Sequence, residues 1–406
     1  MKIYYFKIII SLFILYYSTA YSQEGCTDVL ANNFSQIASV NNGSCTYDNT
    51  IISPYSSLSL NNVIKETSGL IEWNNQLYTQ NDDTDTNLYK LEKSTGNLIS
   101  TLAFPSITNI DWEEISQDEN YIYIGDFGNN VSGNRTNLKI YKISKNSIDN
   151  PIIETINFSY FNQHDFAPKA NNSTDFDCEA FVVTDNEILL FTKQWNSQKT
   201  TIYSLSKSAG THTAIPLYTL DVSGLITGAT LVKNLNIIVL SGYSNKLFPF
   251  VFMIYDFKNN NFANANKRKI HLNLPFHQIE SISSSNGTDY FLTNEEVVVA
   301  PYINNIQKLH KISLQPFLEN YIFHLSVETN KQTNNSSIFH PNPVEDVATF
   351  KNNEIKPIKY RLMNTSQQLI EQGVMKNNQL NMVHLKPGIY FVHLINENKI
   401  IKLIKK

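Results

Sequence analysis

Asp111-Trp112-Glu113-Glu114-Ile115, followed by Tyr121-Ile122-Tyr123-Ile124 and by Leu138-Lys139-Ile140-Tyr141-Lys142-Ile143, is the stretch on which the fold turns. It reads as an acidic start, a half-buried strand, a turn, an aromatic-rich second strand and a third strand with period-2 alternation. The plan recurs. Other units open at Thr67-Ser68-Gly69-Leu70, Asp177-Cys178-Glu179-Ala180-Phe181, Thr227-Gly228-Ala229-Thr230 and Gln278-Ile279-Glu280-Ser281-Ile282. Their second strands are Gln76–Thr79, Ile188–Phe191, Ile237–Leu240 and Tyr290–Thr293, and third strands follow at Asn87–Leu91 and Thr201–Leu205. Between Ser68, Glu113, Glu179, Gly228 and Glu280 the intervals are 45, 66, 49 and 52 residues. One blade of a β-propeller needs about 40–50. The long interval holds the Asn-rich segment Ser144–Thr174, read as an outer strand (Ile152–Phe158) plus a loop insertion. The expected fold is mainly β: a propeller of five to six blades, five countable and a sixth assembled from Ile51–Leu60 and Tyr321–Val327. A β-sandwich is the rival.

Composition agrees. With 406 residues, 22 Tyr, 23 Phe and Asn recurring in the turns, the chain suits many short strands in two or more folded units. Its 32 Lys+Arg against 36 Asp+Glu leave a net charge of -4 without a long basic run. Nucleic acid is therefore excluded as a partner.

The first 22 residues carry Lys2 and Lys7, an apolar stretch Ile8–Tyr17 and a small-residue exit at Ala20-Tyr21-Ser22, the pattern of a secretory signal peptide. The stretch is short for a membrane span. Export favours disulfides, so Cys26 and Cys45 are expected to pair, leaving Cys178 as a buried thiol. The bracketed segment resembles a short module of secreted Bacteroidetes proteins. Its Asp28, Asn41 and Asn42 offer oxygens to Ca²⁺, but turn chemistry accounts for Asn-Asn-Gly without a metal.

In a blade, the innermost strand starts and the second strand ends on the same face of the disk. Glu113, Asp177, Glu179 and Glu280 from the starts, with Asp82, Asp126, Lys193, Tyr243 and Glu295 from the ends, should therefore converge on the channel mouth as a ligand site. Asp175, Asp177 and Glu179 at i, i+2 and i+4 would share one side of a strand and offer a hard cation such as Ca²⁺ three carboxylates. Hydrogen bonds to neighbouring turns are the competing use.

The units resemble secreted propellers related to esterase-like phytase and to the SdiA-regulated proteins, whose blades open with an acidic-x-Glu-small pattern. Glu113, Glu179 and Glu280 match that Glu, whereas Ser68 and Gly228 depart from it. Ile124-Gly125-Asp126-Phe127-Gly128-Asn129-Asn130, followed by Arg135 and Leu138, resembles a recurring Bacteroidetes propeller motif, as does Phe191-Thr192-Lys193. That resemblance adds Asn129 and Arg135 to the mouth. It spans roughly residues 64–315 and implies the fold, with a metal-dependent phosphoesterase as the activity. No Gly-x-Ser-x-Gly elbow, zinc spacing or P-loop occurs.

After Val327 the chain turns polar and reads as a linker. Then Phe339-His340-Pro341-Asn342-Pro343-Val344, Tyr360-Arg361-Leu362-Met363-Asn364, Leu385-Lys386-Pro387-Gly388-Ile389-Tyr390-Phe391-Val392 and Lys399–Lys406 come in order. Together they resemble the type A sorting domain of the type IX secretion system, which implies recognition by the translocon and sorting machinery and a small β-sandwich. The expected organisation is a signal peptide (1–22), a Cys-bracketed module (23–48), a propeller (51–327), a linker (328–337) and the sorting domain (338–406). The expected function is binding of an extracellular ligand at the mouth by a secreted or surface-attached protein, the alternative being a hydrolase there.

Overall fold

The computed structural model describes residues 23–406 apart from 83–84, 149, 333–338, 352–356, 365–367 and 396–398. Residues 1–22, expected to be a signal peptide, lie outside the described residues.

Five blades form the body. Their innermost strands are Thr67–Trp73, Trp112–Gln117, Asp177–Val183, Leu225–Val232 and Ile279–Ser283, and each packs on the next around a closed ring. Blade one continues with Gln76–Asn81, Asn87–Leu91 and Leu98–Ala103, and blade two with Tyr121–Asp126, Lys139–Ser144 and Ile153–Tyr160. Blade three continues with Glu187–Lys193, Thr200–Ser206 and Gly210–Leu220, and blade four with Ile237–Tyr243, Pro249–Tyr255 and Asn266–Leu272. Second strands are buried on both faces, so they read as apolar runs; outer strands such as Asn266–Leu272 alternate because one face meets water. Asparagine does the turning. Asn74 and Asn75 both hold positive φ (50° and 59°) in the two-residue loop joining Trp73 to Gln76, the geometry that matches strand twist.

Among the described residues no sixth blade forms, and both of its expected pieces are used elsewhere. Blade five has three strands of its own, Ile279–Ser283, Asp289–Asn294 and Lys308–Ser313, and takes its fourth from Ser56–Ser59. Ile51–Ile52 extends blade four in parallel with His271-Leu272. The N-terminal segment thus ties the last two blades, closing the ring with chain from its beginning. Tyr321–Val327 and the start of the expected linker belong to a helix, Gln315–Gln332. Pro316 suits its first turn, and Phe317, Leu318, Tyr321 and Ile322 fall on one face that packs against the core of blades four and five.

The Cys26–Cys45 bridge forms, and Cys178 is buried and unbridged. The bracketed module docks on blade four. The Asp28 carboxylate accepts from the Tyr47 and Tyr255 hydroxyls (2.8 and 2.5 Å), and the Asn41 amide donates to Asp256 and Asn266 (3.0 and 2.8 Å). Asn42 caps the Ser44 N–H. The side chains considered for Ca²⁺ thus serve docking and turn.

The C-terminal unit has a three-stranded sheet (Phe339–His340, Val347–Phe350, Gln379–Asn381) facing a four-stranded one (Leu369–Met375, Ile358–Met363, Gly388–Leu394, Lys399–Lys405) across a shared apolar core. Asn342 links its first and last motifs, donating to the Lys402 carbonyl (2.8 Å) and accepting from the Ile404 N–H (2.9 Å).

Candidate functional site at the channel mouth

Every innermost strand carries a β-bulge near its start, where pairing to the second strand shifts by one residue. The residues at the shifts are Ser68, Glu113, Glu179, Thr227 and Glu280. A bulge re-aims one side chain out of the alternation, and repeating it five times points one residue per blade at the same rim. Blade four therefore contributes Thr227, one residue before Gly228, its expected member. The two hydroxyl members bind across blade boundaries: Ser68 Oγ donates to the Glu113 carbonyl and Thr227 Oγ1 to the Ile279 carbonyl (2.5 Å). The other three blades supply carboxylates.

Two of these carboxylates meet Asp177, the residue that opens the innermost strand of blade three. Glu113, Asp177 and Glu179 bring one oxygen each to within 4.8 Å of one another, all three buried. Lys193, ending the second strand of blade three, lies 3.1 Å from Glu179 and over the rings of Trp195 (4.7 Å) and Tyr243 (5.3 Å). Asp177 accepts from the Asn129 N–H (2.6 Å) and from the Trp195 indole N–H (2.8 Å). Gly128 makes the approach of the Asn129 loop possible, since a Cβ there would sit 2.1 Å from a Glu113 oxygen and 2.3 Å from an Asp111 oxygen. Beside the trio, a second group of Glu66, Asp82 and Glu295 also holds oxygens within 4.8 Å, at half-buried positions. Gln278 reaches both Glu280 and Glu295 at 3.4 Å.

Crowding sets the electrostatics. Burial, then repulsion from Glu179 and neighbouring acids, pushes Glu113 and Asp177 well above the usual carboxylate range. Burial also raises Glu179 and Glu280, with Lys193 opposing the shift in both. Glu295 is raised well above its ordinary value by burial and then by Glu280, Asp82 and Glu66. For Lys193, burial works toward the neutral amine, but Glu179, Tyr243, Glu280 and Asp177 outweigh it and hold the ammonium. Asp111, less enclosed, is pushed up to about 6 by burial and by Asp177. Burial and mutual repulsion thus raise every carboxyl of the group, and Lys193 is the cation that opposes the shift.

The remaining expected residues occupy two further positions. Asp126 is fully buried, ion-paired to Arg135 at 2.8 Å with Lys139 at 3.8 Å, and Arg135 also donates to the Gly128 carbonyl (2.7 Å). Asn129 accepts from the Arg135 N–H (2.9 Å), so these residues brace the loop against the trio. Asp175 stands apart: it precedes the strand and accepts from the Asn196 N–H (2.9 Å). Period-2 spacing does not extend to it, because the strand starts at Asp177, and Glu113 of blade two takes the third place beside Asp177 and Glu179. Asp111, Glu66 and Gln278 join the site in addition to the residues that the sequence pattern predicts. Each stands two positions before a bulged residue, the same place that Asp177 occupies, and that repetition was available in the sequence.

Below the mouth one side chain reaches from blade two to blade four. Glu114, fully buried, accepts from its neighbour Ile115 N–H (2.9 Å) and from the Ala229 N–H of blade four (2.7 Å). On the far side of it, a cavity of about 450 Å³ opens at the opposite face between Ser116, Thr230 and Ser284.

Residues 337–406 match the secretion system C-terminal sorting domain. The protein is thus exported by the type IX secretion system to the cell surface or exterior, and its C-terminal domain engages that machinery. No curated protein matches the chain. Among solved structures it is similar to the PQQ-bound aldose sugar dehydrogenase of Streptomyces coelicolor (9% identity, TM-score 0.39, covering 64% of this chain and 97% of that one). It is also similar to PorZ, a surface component of the type-IX secretion system of Porphyromonas gingivalis (11%, 0.29, 84% and 45%), and to the WD40 repeats of RRP9 (10%, 0.33, 64% and 98%). Likenesses this distant carry no inference about what the chain binds.

Proposed function

We propose that this exported propeller binds an extracellular ligand at the channel mouth through a cation, Ca²⁺ being the type, held by Glu113, Asp177 and Glu179. The observation that carries the reading is the meeting of three buried carboxylates from two blades within 4.8 Å. Such acids cannot all ionise in a site of low dielectric, so they retain protons until a cation replaces them. Hard cations take carboxylate oxygens, and the half-buried Glu66, Asp82 and Glu295 offer a neighbouring acidic wall for the rest of a ligand. Titration calorimetry of the full-length exported chain with CaCl₂, in two buffers of different ionisation enthalpy, tests this. Expected are saturable binding with net proton release and the loss of both in Glu113→Gln, Glu179→Gln. Absence of binding with the wild type would leave the trio as a proton-sharing structural hub and overturn the reading.

The phytase-like resemblance of the blade openings supports a second reading at the same mouth, metal-dependent phosphoester hydrolysis. Turnover of p-nitrophenyl phosphate that requires Ca²⁺ and is lost with Glu113→Gln favours it over binding alone.

A further inference from the structure

We infer a second binding site, for a neutral saccharide, in a cleft at the outer edge of blade four. The cleft encloses about 440 Å³, within the range of small-molecule pockets, and has three walls from distant parts of the chain. One is the disulfide-clasped module (Thr27–Val29 and Ser39–Asn41), one is the turn between the last two strands of blade four, and one is the helix at Asn320, Tyr321 and His324. Nothing in the propeller ring requires this cleft. It exists because module and helix both dock on blade four and leave a gap between them.

Its chemistry is unlike that of the mouth. The side-chain amides of Asn261, Asn264 and Asn320 line the cleft and make no hydrogen bond to any described residue. Each amide offers two donor hydrogens and an acceptor oxygen, the complement of neighbouring sugar hydroxyls, which both give and accept. The tilted pair Tyr255 and Tyr321, with centroids 5.2 Å apart, and Phe257 supply the apolar wall that the C–H face of a sugar ring meets. Asp28 is committed to two tyrosine hydroxyls, and Asp256 accepts from Thr27 and Asn41, so the carboxylates are held by the protein itself. Amides and rings, with the acids already engaged, fit a neutral polyhydroxyl ligand; Lys258 and His324 complete the polar part of the lining.

The probes are maltose, cellobiose and chitobiose, titrated against the full-length exported chain and followed by saturation-transfer NMR. Saturable binding of at least one is expected, weakened about tenfold or more by Asn264→Ala, Asn320→Ala, as the loss of two polar contacts implies. Glu113→Gln should leave it unchanged, which separates this site from the mouth. A thermal melt matching the wild type shows that the double variant is folded; Asn261→Ala, on an exposed turn, serves as a second variant should it not be. No binding by any of the three disaccharides, or binding indifferent to both sets of substitutions, overturns the proposal.

Discussion

The carboxylate of Glu114 in blade two accepts a 2.7 Å hydrogen bond from the backbone N–H of Ala229 in blade four, across the axis of the propeller. Non-adjacent blades are thereby joined at the centre of the ring. Burial raises this carboxyl well above the ordinary range, although the N–H groups of Ala229, Ile115 and Leu70 oppose the shift.

Glu114→Ala should destabilise the body. It strands the buried N–H groups of Ile115 and Ala229, at a cost of about 1–3 kcal/mol for each left unsatisfied. Urea unfolding measures it, and an unchanged midpoint would show that the axial contact contributes nothing.

Asp111 gives the protein a pH dependence of definite sign. Its folded pKa, about 6, exceeds the ordinary value of 3.8, so the native state binds the proton more tightly than the unfolded chain. Its contribution is complete below about 3.8 and is lost as pH rises through about 6. The wild type should therefore lose stability relative to Asp111→Asn between those values, read from urea midpoints at stepped pH. Parallel curves would refute it.

Lys193→Met should cost about 3–5 kcal/mol, the usual penalty for removing one partner of a buried ion pair. Glu179 and Glu280 would then face each other without a cation, so the loss should deepen as pH rises and both ionise. Equal loss at pH 5 and pH 8 would remove the lysine from that role.

Removing the Cys26–Cys45 bridge with a double serine variant frees a loop of 19 residues' separation, worth roughly 3 kcal/mol of chain entropy. Because the module docks on blade four through side-chain contacts, the expected result is local: faster proteolysis within residues 23–50 and intact blades. Cleavage spread over the propeller would make the module a global support.

Deleting residues 337–406 should leave the body inside the cell envelope, because the matched sorting domain is what the export machinery engages. Fractionation and immunoblotting read the outcome; undiminished surface or extracellular protein would place the export signal elsewhere.

The strands were legible because their period is local. The second strands, Tyr121–Ile124 and Ile188–Phe191 among them, are apolar runs between turn residues, and each appears as read. The mouth was legible to the extent that chain direction dictates which strand ends share a face, which placed Glu113, Asp177, Glu179 and Lys193 together. Bulges were not legible. Thr227 and Gly228 are adjacent, and only pairing between strands says which of them is displaced toward the rim. Asp175 misled for a related reason, since spacing by two means a shared side only inside a strand.

The sequence by itself determined the repeat, the disulfide pair and the sorting domain, for these rest on periodicity, on the two cysteines flanking one short loop and on ordered motifs. Tertiary structure alone decided that the blades number five, because Ser56–Ser59 has no partner until the ring brings Lys308–Ser313 beside it. It also decided that Glu114 reaches Ala229 across the ring. That contact spans 115 residues of chain, and no local pattern of charge or hydropathy reaches across such a distance.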